Sequence, residues 1–302
     1  MPQSSPSAGP PVRPSDLLGA HVSAQGGVQT TPQRGLDIGA TALQIFTKTP
    51  NQWREPVLAD ETVAAFRAEL ERSGIRSVVS HDSYLINLAS PDVVLRKRSI
   101  VSFTRELERC ERLGLFGVVS HPGNYMDDRD AGLRRNAEAY AECLRAVPGR
   151  VMVLMETTAG TGTALGSDFE ELAALREMIP APQRDRVGFC ADTCHLYAAG
   201  HDLINDYDGV WERWDRLIGL GHLRCLHLND SKTPFGARRD RHELIAEGTL
   251  GAGPFRRIMT DPRFRDIPKI LETPKGDDMV TLDRKMLRRL RAYARGRATR
   301  AR

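Results

Sequence analysis

His81, His121 and His227 each close a short apolar run, in SVVSH, GVVSH and RCLH, and Glu156, Asp192 and Glu272 do the same in VLME, GFCAD and ILE. Imidazole nitrogen and carboxylate oxygen together suit zinc, with manganese or iron as further candidates; calcium would want a cluster of oxygens alone. A single histidine beside a strand is ordinarily a hydrogen-bonded structural residue. Six donors, one at the end of each of six successive apolar runs, form the pattern of a metal site. Three more donors lie in connecting segments. His195 follows Asp192 by three residues in DTCH, and DRH carries Asp240 and His242. On extended backbone the i, i+2 spacing turns both of these side chains to one side, where they can chelate one ion. Nine donors are too many for one cation. They suffice for three if a carboxylate bridges, and paired cations about 3.5–4 Å apart are suited to displacement at phosphorus.

The elements that must position these donors alternate along the chain. Strand-length apolar runs fall at about Leu17–His21, Ala42–Phe46, Ser77–His81, Gly117–His121, Val151–Glu156, Val187–Asp192, Leu223–His227 and Lys269–Glu272. Helical stretches separate them: ADETVAAFRAELERSG, SPDVVLRKRSIVSFTRELERCERLG, DRDAGLRRNAEAYAECLRAVPG, DFEELAALREMIP and DYDGVWERWDRLIGLG. Several begin on an acidic or Ser-Pro-Asp cap and close on glycine, as helices prefer. Eight strands alternating with helices predict a single parallel (β/α)₈ TIM barrel, with an open doubly wound sheet as the alternative. In the barrel, strand C-termini converge on one mouth, which places the donors together. The barrel is expected over residues 16–295, after a Pro-rich disordered segment 1–15 and before a basic tail 296–302.

Composition supports one ordinary globular domain: 302 residues, 40% hydrophobic and 27% charged. No stretch approaches the roughly 18 apolar residues of a membrane span, and the start has no secretion signal, so the expected location is cytoplasmic, with no membrane partner; a monomer is expected. The five cysteines include no CxxC pair, which argues against a disulfide framework and against a thiolate zinc site. The net charge of +4 conceals an asymmetry: residues 284–302 hold nine Lys or Arg and no acid, so the remainder is mildly acidic. Bound divalent cations would reverse that sign locally, where a polyanion has to approach. The basic end reads either as a nucleic-acid contact or as a solvated terminus.

The runs GAHVSAQGG, HDSYLINL, SHPGN, METTAGTG, DTCHLYAAG, HLNDSKTPFGARRDRHE and LETPKGD, in this order over roughly residues 17–290, resemble those of endonuclease IV, the zinc-dependent apurinic/apyrimidinic endonuclease family of base-excision repair. The resemblance implies a (β/α)₈ barrel with three Zn²⁺ ions acting on duplex DNA. Such an enzyme cuts 5′ to abasic sites, leaving 3′-hydroxyl and 5′-deoxyribose phosphate ends, and trims blocked 3′ ends. It further implies one zinc on His81, His121 and Glu156, a second on Glu156, Asp192, His227 and Glu272, and a third on His195, Asp240 and His242. Glu156 would bridge, and would orient a water or hydroxide attacking phosphorus in line. His21 matches a family histidine outside the ligand set, either supporting a ligand or touching phosphate. Tyr84 and Leu85 match a wedge that enters the duplex at the lesion. Lys48, Gln52 and Trp53 lie in FTKTPNQWRE, a loop expected to face DNA, although Asn51 stands where some relatives carry arginine. Thr157, Leu244 and Ala246 are milder departures, in positions that support the ligands.

Two other classes fit the barrel. Metal-dependent sugar isomerases and epimerases share it but need fewer metals, so the DTCH and DRH donors speak against them. A catalytically silent DNA-binding homologue is hard to reconcile with an intact donor set.

Overall fold

The computed structural model describes residues 17–296, so the expected Pro-rich segment and the basic residues after 296 lie outside the described part. Eight parallel strands close a barrel: β1 (Leu18–His21), β2 (Ala42–Ile45), β3 (Ser77–His81), β4 (Gly117–Ser120), β5 (Met152–Glu156), β6 (Val187–Asp192), β7 (Leu223–His227) and, after a two-stranded ribbon of β8 (Asp230–Ser231) and β9 (His242–Glu243), β10 (Lys269–Leu271). β10 pairs with both β1 and β7, and this seam closes the ring. The open-sheet alternative is thereby excluded. Each sequence-predicted strand is present to within about a residue at its ends, the ordinary latitude of an element boundary.

The strands are almost wholly buried because helices cover the outside while side chains fill the inside. One apolar cluster holds Ala42, Val79, Val119, Leu154, Cys190, Cys225 and Ile270, from seven different strands. Side chains from seven strands can meet only within the ring, so this cluster is the barrel interior. A much larger cluster, with Trp211, Trp214, Phe189 and Phe255, seals strands to helices.

The helices begin and end where their termini find partners. Asp92 accepts from the amides of Val94 and Leu95 ahead of Val93–Leu113, and Asp128 accepts from Ala131 ahead of Arg129–Ala146. Gly114 ends the first of these in the left-handed region at φ 76°, a conformation that glycine adopts without a Cβ penalty. The described part of the basic segment from 284 is largely helical. Residues 284–294 belong to the helix Thr281–Ala294, which buries Met286, Leu287, Leu290 and Tyr293. No helix among the described residues is long and apolar enough to cross a membrane.

Candidate metal centre

Two residues beyond the apolar interior, each strand delivers its final inward side chain at the C-terminal mouth: His21, Gln44, His81, His121, Glu156, Asp192, His227 and Glu272. Glu156 is the centre of this ring and is completely buried. Its Oε2 lies 3.2 Å from His81 Nε2 and 3.1 Å from His121 Nε2. Its Oε1 lies 2.8 Å from His227 Nδ1 and 3.4 Å from His195 Nδ1. Three groups of donor atoms result, each compact enough for one ion: His81, His121 and Glu156; Glu156, Asp192, His227 and Glu272; His195, Asp240 and His242. Glu156 belongs to two of them.

Local structure explains why the connecting-segment donors reach this ring. Asp192 ends β6 and also caps the helix Thr193–Ala199, accepting from the His195 amide at 2.9 Å. The cap sets the first helical turn, and that turn carries the His195 side chain into the site. Pairing of β8 with β9 puts His242 opposite Ser231, and Asp240 two residues earlier comes within 3.1 Å of His242 Nε2 and 3.2 Å of His195 Nε2.

The rings are held in fixed tautomers. His81 Nδ1 is 3.0 Å from the carbonyl of Asp82, His195 Nδ1 is 2.8 Å from that of Thr157, and His242 Nδ1 is 3.2 Å from that of Glu272. A carbonyl only accepts, so each Nδ1 carries a proton and each Nε2 is the nitrogen that faces the carboxylates. His227 is reversed: its Nε2 donates to Gln44 Oε1 at 2.8 Å, leaving Nδ1 inward. Gln44 also donates to Glu272 Oε1 at 2.5 Å, and its amide nitrogen lies 3.0 Å from His21 Nδ1. Asn229 Nδ2 donates to Asp192 Oδ2 at 2.6 Å, and its Oδ1 accepts from the Glu272 amide.

The histidines and carboxylates of the site share protons with one another. Burial alone would lower the His81 imidazole, but the Glu156 carboxylate raises it to about 9. Burial likewise opposes protonation of His242, and Asp192 with Asp240 brings it to about 9. Glu156 is held well below the usual carboxylate range, burial being outweighed by the charges of His227 and His121. Glu272 is also well below it, burial again being outweighed, chiefly by His227. Burial pushes the neighbouring Asp82 up to about 6 against the pull of His81.

These donors fit a divalent cation better than they fit one another. His195 Nε2 and His242 Nε2 are buried and lack a hydrogen-bond partner of acceptable geometry, although an Asp240 oxygen lies 3.2 and 3.1 Å away. Nitrogen and oxygen point at a shared space instead of along a common bond, as ligands of one ion do. The mixed donor set is that of zinc, manganese or iron.

The other sequence-predicted residues are distributed around the mouth. Tyr84 is 71% exposed, with its ring centroid 5.3 Å from that of Phe46 in an edge-on arrangement, and Leu85 beside it is half-buried. Gln52 is exposed, and Trp53 is half-buried with the Arg98 guanidinium 4.6 Å over its ring. His21, also half-buried, lies 3.6 Å from Glu272 Oε1 and packs on Phe46 at 4.4 Å. Lys48 departs from expectation. Its ammonium is turned into the protein, 2.6 Å from Glu55 Oε1 and 3.1 Å from Ser102 Oγ, where it pins the loop after β2 to the helix Val93–Leu113. Arg109 completes that network with Glu55, Glu106 and Thr47. A lysine so engaged presents no charge to a phosphate. Sequence reasoning missed Gln44 and Asn229. The signal for Gln44 is a polar residue inside the buried run ALQIF, at the position where other strands carry donors.

Fold and site together define a (β/α)₈ barrel with a histidine–carboxylate centre at the strand C-termini, and residues 33–293 match the xylose isomerase-like TIM barrel family. The chain is 48% identical over 282 residues to the probable endonuclease 4 of Chloroflexus aggregans, a match that covers 92% of this chain and 98% of the relative. It superposes on the crystal structure of endonuclease IV from Thermus thermophilus with a TM-score of 0.82 and 37% identity, over 92% of this chain and 99% of the other. The chain belongs to the endonuclease IV family. A D-psicose 3-epimerase solved with D-fructose is similar at a TM-score of 0.66 but only 16% identity, over 92% of this chain and 98% of the other, a likeness of fold alone.

Proposed function

We propose that this chain is an apurinic/apyrimidinic endonuclease that hydrolyses the phosphodiester 5′ to an abasic site in duplex DNA, leaving 3′-hydroxyl and 5′-deoxyribose phosphate ends, and that it trims blocked 3′ ends. The observation that carries this reading is Glu156, one buried carboxylate shared by two donor groups, with a third group adjoining. The first group, His81, His121 and Glu156, holds one zinc; Glu156, Asp192, His227 and Glu272 hold a second; His195, Asp240 and His242 hold a third. Manganese or iron substitutes in part. Bound divalent cations supply Lewis acidity that activates water and offsets charge at phosphorus.

The chain's own residues perform the rest. Four carboxylates, Glu156, Asp192, Asp240 and Glu272, set against three divalent ions leave the mouth net positive, which favours a phosphate over a neutral sugar. Glu156 is the catalytic residue, its two oxygens directed at different donor groups so that it can orient the attacking water between them. Gln44 and Asn229 fix the ligand orientations. Tyr84, exposed beside the site with Leu85, has the reach to fill the gap left by a missing base. Gln52 and Trp53 lie in the loop after β2 and face the DNA, His21 steadies Glu272, and Lys48 pins that loop to the helix Val93–Leu113.

The test is incubation of the metal-replete protein with an end-labelled duplex bearing one abasic site and with its intact counterpart. Cleavage of the first alone, on the 5′ side, with a product that a polymerase can extend, is the expected result. No cleavage by fully metallated protein overturns the reading.

A further inference from the structure

Beneath the centre, the sulfur atoms of Cys190 and Cys225 and a ring nitrogen of His227 all lie within 4.8 Å of one another. Barrel register creates this grouping. Cys190 on β6 pairs with Cys225 on β7, and His227 stands two residues further along β7 on the same inward face. All three are completely buried, and neither cysteine forms a disulfide. The absence of a CxxC motif therefore says nothing about thiol proximity here, because two strands supply one cysteine each. Their other neighbours in the barrel interior include Leu154, Val119 and Ile270.

Two thiols and an imidazole make a soft donor set, unlike the histidine–carboxylate groups above it. Sulfur favours thiophilic cations such as cadmium or monovalent copper. Binding a divalent ion forms two metal–sulfur bonds and releases one proton from each thiol, with no change of oxidation state. Two thiolates then neutralise the ion, so the loaded cluster places no net charge in the apolar interior.

We propose that Cys190, Cys225 and His227 form a thiophilic cation site, and that its occupation excludes a metal from the group Glu156, Asp192, His227 and Glu272. Exclusion follows from the imidazole, which has a single lone pair when neutral. His227 now turns Nδ1 to Glu156 at 2.8 Å and Glu272 at 3.1 Å, with its proton donated to Gln44. A ring committed to a cation on the two sulfurs has no lone pair left for the carboxylate group. The site stands independently of the proposed function; the exclusion rests on the reading of His227 as a ligand.

Cadmium is the probe. Metal-free full-length protein titrated with cadmium is expected to develop the ultraviolet charge-transfer absorption of a thiolate-bound ion. The double variant Cys190→Ala/Cys225→Ala is expected to lose it while keeping the zinc content and abasic-site cleavage of the parent. Cys110, Cys143 and Cys194 remain in that variant, so a band that survives there arises elsewhere and overturns the site. Because removing two buried sulfurs can loosen the barrel, X-ray absorption at the cadmium edge is measured on the unaltered protein as well. Two sulfur neighbours per cadmium support the site, and only oxygen and nitrogen neighbours overturn it. Elemental analysis of zinc-reloaded samples addresses exclusion: one zinc fewer in the cadmium-treated protein is expected, and an unchanged zinc count refutes it. A sulfur-bound cadmium in a protein whose zinc form cuts no abasic DNA would sink the proposed function and leave this site standing.

Discussion

In seven strands of the barrel, the last inward side chain and the one two residues before it share a backbone and differ in almost everything else. The lower set, Ala42, Val79, Val119, Leu154, Cys190, Cys225 and Ile270, is a dry cluster of small and medium side chains. The upper set, Gln44, His81, His121, Glu156, Asp192, His227 and Glu272, is polar, and most of it is equally buried. Buried apolar contact stabilises the fold, whereas a buried carboxylate or imidazole is tolerated only when it is paired. Stability and chemistry are therefore separated by two residues of backbone, about 6–7 Å along a strand. Changes in the upper ring should affect activity and metal content, and changes in the lower ring should affect stability.

The sharpest way to break this division is Glu156→Gln. It keeps the shape but removes the charge shared by two donor groups, so abasic-site cleavage is expected to fall by several orders of magnitude while lesion binding, measured by electrophoretic shift, survives better. Near-parental turnover in a metal-replete variant would refute the central role of Glu156. The mirror experiment lies one level down. Leu154→Ala should cost about 2–5 kcal/mol in denaturant unfolding, with cleavage per folded molecule close to that of the parent. A large loss of turnover at unchanged stability would show that the two layers are not separable.

Smaller effects test how the upper ring is tuned. Gln44→Leu removes the acceptor that fixes the His227 tautomer, and metal affinity or activity should drop roughly 10–100-fold with stoichiometry retained at saturating zinc. Competition with a chromophoric chelator measures this, and unchanged affinity would reduce Gln44 to filler. Proton sharing gives the metal-free protein a distinctive pH response. His81 and His242 have pKa values raised to about 9, so their contribution is fully present below the ordinary histidine value near 6.5 and is lost as pH rises through about 9. The melting temperature of the chelated protein should fall across that window, whereas that of the zinc-loaded protein should stay level. Replacing Tyr84 and Leu85 together by alanine should lower the preference for abasic over intact duplex at fixed salt by about 1–3 kcal/mol, the scale of base–aromatic stacking. Metals should stay bound, and an unchanged ratio would remove both residues from lesion recognition.

The upper ring was the more legible of the two layers, for a physical reason. A histidine or carboxylate ending an apolar run is conspicuous, and strand ends are set by local alternation, so His81, His121, Glu156, Asp192, His227 and Glu272 could be placed at one mouth from spacing alone. Residues that act through partners distant in sequence were not legible. Gln44 reaches Glu272 across 228 positions, and nothing local marks that contact. Lys48 looked like a basic group on a DNA-facing loop because the loop conformation that turns its ammonium onto Glu55, seven residues on, and onto the distant Ser102 hydroxyl is set only by the fold. The basic count after residue 284 likewise hid the apolar spacing of Met286, Leu287, Leu290 and Tyr293. Short helices such as Thr193–Ala199 depend on a cap and on packing more than on their own periodicity.

On the proposed reading, nine donors, sharing Glu156, would hold three cations per chain. Elemental analysis of active protein purified without added metal tests it directly. The expected content is about three ions per chain, mainly zinc. A reproducible content of one ion or fewer in protein that still cuts abasic DNA would contradict it.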